Sequence, residues 1–299
     1  MHDETLADVA EERRRLLALA YRMTGTLADA EDVVQETYVR WYRLDDAERD
    51  AIANPAGWLT RVASRVALDQ LTSARARRER YVGEWLPEPV PADLFSGTAP
   101  APSDRADPAD RVTLDDAVST ALLVVLEAMT PAERVAFVLH DVFAVPFDEV
   151  AAIVGRSSAA TRQLATSARR HVREQRASVV APRDHDGVVR AFADAARRGD
   201  LDALLRALAP DVVLRSDGGG LVSAARKPVY GADKVLRFLL GVSTKQPALV
   251  LDEVATADGL GFRMSVDGRL HGIVSFRVVA GAIVDVWLFV NPEKLGAWG

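Results

Sequence analysis

The sequence contains no cysteine among its 299 residues. This absence excludes disulfide bonds, thiolate metal sites and cysteine nucleophiles, and it is typical of proteins in a reducing cytoplasm. No apolar run approaches the roughly 18 residues that would span a bilayer. The charged N-terminus (MHDETLADVAEERRR) is unlike a signal peptide. The five histidines lack the spacing of a metal site. We therefore predict a cytoplasmic protein with no membrane segment, cofactor or metal.

Basic residues are outnumbered by acidic ones, 37 to 43, but they are locally concentrated in two places. The net charge is −6, which is unusual for a DNA-binding protein. Residues 61–80 nevertheless hold 6 Arg against 2 acids, and residues 156–176 hold 6 Arg against 1 acid. Basic islands on helices are typical of phosphate contact. The acidic remainder should oppose DNA binding by the free chain, so we expect a partner that occupies or masks the acids.

Composition and periodicity divide the chain into four parts. Residues 1–82 are predicted to form a compact helical domain, and residues 115–178 form a second helical domain. Between them, residues 83–114 contain 6 of the 14 prolines and many acids, which predicts an extended linker. Residues 185–295 are predicted to belong to a different fold class, with helices followed by a meander of antiparallel strands. The predicted fold is multidomain, with two all-α modules followed by an α+β domain.

Several helix ends are marked by capping residues. Thr26 or Asp29 can cap a helix that runs to about residue 43, and Asn54-Pro55 begins another. Thr130-Pro131-Ala132-Glu133 has the pattern of a capping box, and Gly155 ends a later helix.

Hairpin signals mark the last domain. Asp267-Gly268 and Ala280-Gly281 each separate two alternating apolar segments. The predicted elements are helices at 185–198, 201–207 and 232–240, and strands at 212–215, 248–256, 261–266, 269–279 and 282–290.

The segment Phe147–Arg176 is predicted to be a helix-turn-helix. Its second helix buries a narrow face of small residues and presents a basic face, the arrangement that enters the DNA major groove. An ordinary helical hairpin with a solvated basic face is the alternative. The predicted DNA-contacting residues are Arg156, Ser158, Arg162, Gln163, Thr166, Arg169 and Arg170.

The other basic island and an acidic stripe are also candidate surfaces. Arg61, Arg65 and Asp69 recur every four residues and could line a DNA strand, with Arg75, Arg77 and Arg78 beyond them, or they could form surface i,i+4 pairs. Asp29, Asp32 and Glu36 form the acidic stripe, with Gln35, Tyr38 and Trp41 on the same helix. This stripe is either a solvated face or a docking surface for a basic partner.

Three of these segments resemble parts of the extracytoplasmic-function (ECF) sigma factors. The run from Asp29 to Trp41 (DAEDVVQETYVRW) resembles region 2.2, and Pro55–Leu71 with residues 75–80 resembles regions 2.3 and 2.4. Thr130 to Arg176 resembles region 4. The resemblance implies docking on core RNA polymerase, at the beta-prime clamp helices and the beta flap. It also implies recognition of the −10 and −35 elements of promoter DNA.

The rest of the chain resembles the SigJ-like subgroup, whose C-terminal extension is SnoaL-like, with the cone-shaped fold of nuclear transport factor 2. The resemblance implies a regulatory extension within the chain, a free monomer and no catalytic residues; the extension could hold a small-molecule ligand. It rests on three motifs: Trp85-Leu86-Pro87, Asp217-Gly218-Gly219-Gly220 and Asn291-Pro292-Glu293-Lys294-Leu295.

Two other functions are compatible with parts of the sequence. A SnoaL-like enzyme fused to a helix-turn-helix would need a base with a raised pKa inside the cone. Its candidate residues are Asp217, Tyr230, Asp267, His271 and Asp285. A one-component regulator with a ligand-sensing cone would leave the stripe from Asp29 to Trp41 unexplained. Association with core polymerase distinguishes a sigma factor from both.

Overall fold

The computed structural model describes residues 2–78, 81–95, 119–176 and 182–299, with side chains for 11–73, 81–95, 119–173 and 184–299. The chain divides into two compact units. The first, called the sigma unit after the resemblance described above, comprises Met1–Glu79, Phe95–Val118 and Leu122–Glu174. The second, the C-terminal unit, comprises Arg80–Leu94, Ser119–Ala121 and Gln175–Gly299. Within the described ranges, no helix has the length and apolar character needed to cross a bilayer.

The sigma unit begins with four helices, and all of them except the short third helix bury apolar side chains. They are α1 (His2–Thr24), α2 (Leu27–Arg43), α3 (Asp46–Asp50) and α4 (Pro55–Arg78). The side chain of Thr26 caps α2 by accepting a hydrogen bond from the Asp29 backbone at 3.2 Å, which confirms the first of the two predicted caps. Pro55 begins α4 as predicted, where its missing N–H leaves no hydrogen bond unmade.

A second group of helices follows the linker. They are α5 (Thr120–Glu127), α6 (Pro131–Phe137), a π-helical turn (Val138–Val142), α7 (Phe147–Val154) and α8 (Ser158–Arg176). Thr130 and Glu133 form the predicted capping box. Gly155 ends α7 in the left-handed conformation, with φ of 68°. The part of the predicted second helical domain that precedes residue 119 lies outside the described residues. The π-helical turn was not predicted.

A buried arginine joins the two helical groups. Arg134 is 3% exposed. Its guanidinium donates to the Met23 carbonyl at 2.6 Å and to the Leu126 carbonyl at 2.9 Å, and it pairs with Glu127 at 2.6 Å. Met23 lies at the end of α1 and Leu126 near the end of α5, where helix carbonyls need partners. One buried cation therefore satisfies acceptors from both groups, which sequence periodicity did not predict.

The C-terminal unit is a six-stranded sheet covered by three helices. Its elements are α9 (Pro182–Arg198), α10 (Leu201–Ala207), β1 (Leu208–Asp217), β2 (Val229–Tyr230), α11 (Ala232–Lys245), β3 (Leu249–Thr256), β4 (Gly259–Val266), β5 (Arg269–Val279) and β6 (Ala282–Phe289). The strand order is β2-β1-β6-β5-β4-β3. Strand β1 pairs parallel to β6, and the other neighbours are antiparallel. The α+β class is confirmed.

Most predicted elements of this unit are present, with different ends. Asp267 and Ala280 adopt φ of 50° and 49° in the two predicted hairpin turns. The strand predicted at 212–215 extends from Leu208 to Asp217, because β6 pairs with it at Leu208 and again from Val213 to Asp217, whatever the local propensity. The helix predicted at 232–240 continues to Lys245. Strand β2, with only two residues, was not predicted.

The two faces of the sheet have different roles. One face buries Val212, Leu214, Phe262, Phe276 and Val286 in an apolar cluster with residues of α9, α10 and α11. Because side chains alternate along a strand, Asp217, Asp285 and Trp287 lie on the opposite face. The charged residues of interest therefore lie away from the layer between helices and sheet.

Candidate functional site

Helix α2 carries the predicted polymerase-binding residues, of which Asp32 and Gln35 lie opposite its buried stripe. The stripe consists of Ala30, Val33, Val34 and Thr37. Asp32 and Gln35 are exposed, whereas Asp29, Glu36, Tyr38 and Trp41 are half-buried. The helix therefore offers an acidic and aromatic surface, as the sequence predicted, but only part of it is fully accessible.

The aromatic part of this surface extends further than predicted. Tyr38 stacks on Tyr42 with ring centroids 6.3 Å apart, and Trp41 packs edge-on against Trp58 at 5.3 Å. Tyr42 is 67% exposed. A large exposed aromatic side chain is typical of protein interfaces. The i+4 spacing between Tyr38 and Tyr42 was the sequence signal that could have identified Tyr42 as part of this surface.

The arginines of α4 face the first helix of the helix-turn-helix. The guanidinium of Arg65 donates to the Ala152 carbonyl at 3.2 Å. Arg61 lies 3.9 Å from the Glu149 carboxylate. Asp69 is exposed further along the same face. The side chains of Arg75, Arg77 and Arg78 lie outside the described part. Two predicted DNA-contacting residues are thus in contact with α7 within the sigma unit.

The helix-turn-helix has the predicted inner and outer faces. Thr161, Ala165, Ala168 and Val172 are buried. The exposed residues on the outer face are Arg156, Arg162, Gln163, Thr166 and Arg170.

Two of its predicted DNA-contacting residues have intramolecular partners. The Ser158 hydroxyl, half-buried, donates to the Asp148 carboxylate at 2.5 Å and joins the two helices. Arg169 differs from the prediction of an outward side chain, since its guanidinium pairs with the largely buried Asp141 carboxylate at 2.5 Å. Burial of Asp141 draws Arg169 inward, because an acid buried without a cation would be unstable.

In the C-terminal unit, Asp217 binds the chain segment around Leu86. Asp217 is 0% exposed. One carboxylate oxygen accepts the Leu86 backbone N–H at 2.9 Å, and the other accepts the Tyr81 hydroxyl at 2.6 Å. The Gly219 backbone N–H also donates to it, at 3.0 Å. We call Asp217, Lys294, Asn291 and their contacts with residues 81–86 the segment clamp.

Lys294 completes the segment clamp from the other side. Its ammonium contacts the Asp217 carboxylate at 2.7 Å and donates to the Leu86 carbonyl at 2.5 Å. It also lies 4.1 Å from the centre of the Trp85 ring and 5.2 Å from that of Tyr81, in cation–π contact. A buried ion pair is stable only when further hydrogen bonds satisfy both ions, and the segment supplies them.

The tail that carries Lys294 is itself ordered by the clamp. Asn291 caps a 3₁₀ turn that begins at the exposed Pro292, and its amide donates to the Tyr81 hydroxyl at 2.9 Å. Leu295 is buried, and the Trp298 indole donates to the Pro89 carbonyl at 2.8 Å. Trp298 and Tyr81 were not predicted. Their position beside two of the quoted motifs was the only sequence signal for them.

Burial and the hydrogen bond to Asp217 raise the pKa of Tyr81. The phenol therefore stays protonated, and it donates to Asp217 while it accepts from Asn291. Pro87 is also buried next to Leu86. All three predicted regulatory motifs thus meet within one unit.

The glycines after Asp217 leave room for this segment. A Cβ on Gly219, whose φ is 63°, would lie 2.6 Å from the Asn291 side chain. A Cβ on Gly220, whose φ is 75°, would lie 3.0 Å from Val82. Gly218 faces a backbone oxygen of the following loop at 2.7 Å. The run is therefore a close-packed turn, and a side chain at Gly219 would displace the clamp.

The candidate catalytic acids have structural partners. The Asp217 carboxylate already forms the hydrogen bonds and the ion pair of the segment clamp. Asp285 lies between Arg215, at 2.9 Å, and Arg277, at 2.7 Å. Both acids lie on the sheet face opposite the apolar cluster, so neither forms a base inside the cone.

The other three candidates lie near the surface. Tyr230 is 59% exposed on β2. Asp267 and His271 line an open depression of about 610 Å³ on the β4–β5 hairpin, together with Arg269. An open hairpin surface does not supply the closed pocket that raises a pKa for catalysis.

Two family descriptions match the helical parts of the chain. The Sigma-70 region 2 family matches residues 9–77, and the Sigma-70, region 4 family matches residues 119–172. These ranges contain the α2 surface, the α4 arginines and the helix-turn-helix.

Relatives match nearly the whole chain. It is 42% identical to the ECF RNA polymerase sigma factor SigJ of Mycobacterium tuberculosis, over 94% of this chain and 90% of that protein. It is 39% identical to the probable ECF RNA polymerase sigma factor SigI of the same species, over 98% and 96%. The crystal structure of Mycobacterium tuberculosis SigJ superposes with a TM-score of 0.73 at 37% identity and covers 98% of both chains.

The close packing of Gly219 gives a test of the clamp. Alanine at Gly281, which has φ of 80° and open space around it, should cost about 1–2 kcal/mol of unfolding free energy from backbone strain alone. Alanine at Gly219 should cost more than that, because it also displaces Asn291. Urea unfolding followed by tryptophan fluorescence measures both, and equal losses would contradict the clamp geometry.

The buried ion pair gives a second test. Lys294→Met leaves the Asp217 carboxylate without its cation and should destabilise the C-terminal unit by about 3–5 kcal/mol. Adding Asp217→Asn removes the uncompensated charge, so the double variant should lose less than the sum of the single losses. Additive losses in denaturant unfolding would show that the two side chains act independently.

Proposed function

The chain belongs to the extracytoplasmic-function family of RNA polymerase sigma factors, and we propose that its C-terminal unit fixes how far region 2 and region 4 can separate. As a sigma factor, the chain binds core RNA polymerase and directs initiation at promoters. The proposal concerns how that activity is controlled from within the chain. It rests on one observation, the buried contact of Asp217 and Lys294 with Leu86.

The segment clamp shortens the part of the linker that can extend freely between region 2 and region 4. Residues 80–94 group with the C-terminal unit, so residues 95–118 are what remains to join them to region 4. About 24 residues span at most about 80 Å, to which the fixed distance across residues 80–94 is added, whereas release of the whole segment 80–94 would leave about 39 residues, which span at most about 130 Å. The clamp therefore sets an upper limit on the separation of the two regions.

That limit is close to the separation that promoter DNA requires. Elements centred near −35 and −10 are about 25 base pairs, or about 85 Å, apart on B-DNA. The free part of a clamped linker spans about this distance only when it is fully extended, so small changes in spacer length should matter. A released linker would tolerate longer spacers. Spacer selectivity is thus the property through which the C-terminal unit would act.

Opening of the sigma unit is a necessary step in this scheme. A compact unit of about 150 residues has a radius of gyration of about 15 Å, too small to read both elements at once. Arg61 and Arg65 also contact α7, and Arg134 joins the two helical groups. We infer that polymerase binding separates region 4 from region 2 and frees Arg61 and Arg65 for DNA.

The polymerase surface is proposed to be the exposed face of α2. Asp32 and Gln35 would contact the beta-prime clamp helices, with Asp29, Glu36, Tyr38 and Trp41 beside them. Tyr42 would add an exposed aromatic side chain to this contact. The acidic character of the face supports a basic partner, and region 4 would use the beta flap.

Region 4 is proposed to read the −35 element through the outer face of α8. Arg162 lies in the N-terminal half of that helix, which enters the major groove in helix-turn-helix proteins. It is exposed and lies 5.4 Å from the Phe147 ring, which orients its guanidinium. Arg156, Gln163, Thr166 and Arg170 would add base or phosphate contacts. Arg61, Arg65 and the residues through Arg78 would act at the −10 element.

The clamp proposal is tested by transcription in vitro with core polymerase and a promoter set in which the spacer changes one base pair at a time. The wild-type chain should use a narrow range of spacers. Asp217→Asn should widen it by at least one base pair on the long side, because more linker becomes available. Asp211→Asn, an exposed acid on the same strand, is the matched control. Identical spacer profiles for all three would overturn the proposal.

The region 4 assignment gives a further prediction. Arg162→Ala should weaken promoter binding by the holoenzyme by about 1–3 kcal/mol and reduce the salt slope by about one. Arg198→Ala removes the same charge from an exposed position in the C-terminal unit and should leave binding unchanged. Equal effects of the two substitutions would mean that only net charge matters.

A further inference from the structure

A second contact within the C-terminal unit involves Thr120, which lies at the beginning of the range that matches region 4. The carboxylate of Asp258 accepts the Thr120 backbone N–H at 2.7 Å and the Thr120 hydroxyl at 2.6 Å. Thr120 is the first residue of α5, the first described helix of region 4. Backbone N–H groups in the first turn of a helix lack partners within the helix, and an anion there is stabilised by the helix dipole. Asp258 thus caps α5 from 138 positions away.

The turn that carries Asp258 is itself firmly held. It connects β3 to β4, and the Asp258 backbone N–H donates to the Thr256 hydroxyl at 3.1 Å. The Asp186 carboxylate accepts the Leu260 N–H at 2.9 Å, which fastens the turn to α9. A Cβ on Gly259, with φ of 107°, would lie 2.7 Å from the His185 ring. Asp258 is therefore presented by a rigid turn rather than by a mobile loop.

The same turn also holds the beginning of the linker. The Ala92 N–H donates to the Ala255 carbonyl at 3.1 Å, and the Ala257 N–H donates to the Val90 carbonyl at 3.2 Å. The segment around Pro91 is thus paired with the end of β3. The turn between β3 and β4 and the end of β3 therefore bind the chain on both sides of residues 95–118, at residues 90–92 and at Thr120.

The division of the chain into two compact units agrees with these contacts at Thr120. Ser119–Ala121 belongs to the C-terminal unit, whereas the chain from Leu122 onward belongs to the sigma unit. The boundary therefore falls inside α5, one residue after Thr120. Burial raises the pKa of Asp258, and the Thr120 hydrogen bonds oppose that shift. Thr120, together with Ser275 and His185, thus stabilises the ionised carboxylate.

We propose that Asp258 is a positioning residue for region 4, which it holds at Thr120 until region 4 moves to the −35 element. This inference rests on the proposed function of the C-terminal unit and adds to it a second point of control. While the hydrogen bonds at residues 90–92 and at Thr120 are both intact, the two ends of the linker are fixed to the same turn. Release of Thr120 alone makes residues 95–118 available as a tether, and the segment clamp still limits their reach.

The first experiment measures the contact in the full chain by amide hydrogen exchange. Asp258→Ala should raise exchange of the amides near Thr120 at least tenfold, because the hydrogen bonds to the carboxylate are lost. Asp258→Asn should restore most of the protection, since its amide oxygen still accepts the Thr120 N–H. Asp252→Ala, an exposed acid on β3, is the control. Unchanged exchange in Asp258→Ala would overturn the proposal.

The second experiment measures the consequence with core polymerase and the spacer-varied promoter set. Asp258→Ala should form open complexes faster at the optimal spacer, at least twofold, and Asp258→Asn should resemble the wild type. A structural defect alone would lower the rate at every spacer. Should Asp258→Ala unfold, Thr120→Val removes the hydroxyl contact, keeps the branched shape and should show a smaller increase.

The two proposals fail in different ways. If Asp217→Asn alters the spacer profile while Asp258→Ala and Thr120→Val leave the rate of open-complex formation unchanged, only the role of Asp258 is wrong. If Asp217→Asn leaves the profile unchanged, the proposed function itself is wrong, whatever the Asp258 variants do.

Discussion

The buried carboxylate of Asp217 is the constraint on which the C-terminal unit depends. A charge with no solvent exposure must be neutralised and fully hydrogen-bonded, or the unit becomes unstable. Lys294 supplies the charge, and the segment at Tyr81 and Leu86 supplies hydrogen bonds that the domain alone does not provide. The segment is therefore part of this domain's fold, although it lies more than a hundred residues earlier in the chain.

This arrangement gives a physical reason for regulation within one chain. A segment that satisfies a buried ion pair cannot also serve as a loose tether, so the linker between the two DNA-reading regions is shortened by folding. The contact of Asp258 with Thr120 acts at the other end of the same linker. Under the proposed function, these two local contacts of the C-terminal unit limit how freely region 2 and region 4 move apart.

Much of the fold could be predicted from the sequence, because local chemistry determined it. The capping box at Thr130, the left-handed glycine at position 155 and the hairpin turn at Asp267 require only neighbouring residues. The two arginine-rich helices and the acidic face of α2 were visible as periodic patterns. The three regulatory motifs could be quoted from a family resemblance, but the sequence did not reveal which atoms join them.

The features that were missed depend on partners distant in sequence. Arg134 reads as an ordinary helix residue, yet it is buried between carbonyls of α1 and α5. Asp258 reads as a turn residue, yet it caps a helix far upstream. Arg169 was expected to face outward and is drawn toward a buried acid. In each case a buried charge selects its partner in three dimensions, which spacing along the chain does not encode.

The most direct measurement is a distance distribution between region 2 and region 4 in the promoter-bound holoenzyme. Because the chain has no cysteine, Ala51→Cys and Ala128→Cys would carry two spin labels at exposed and otherwise unused positions. With Asp217 intact, the account predicts one narrow distribution, and with Asp217→Asn it predicts a broad one that extends to longer distances. Distributions of equal width and centre would contradict the claim that the buried carboxylate sets the reach of region 4.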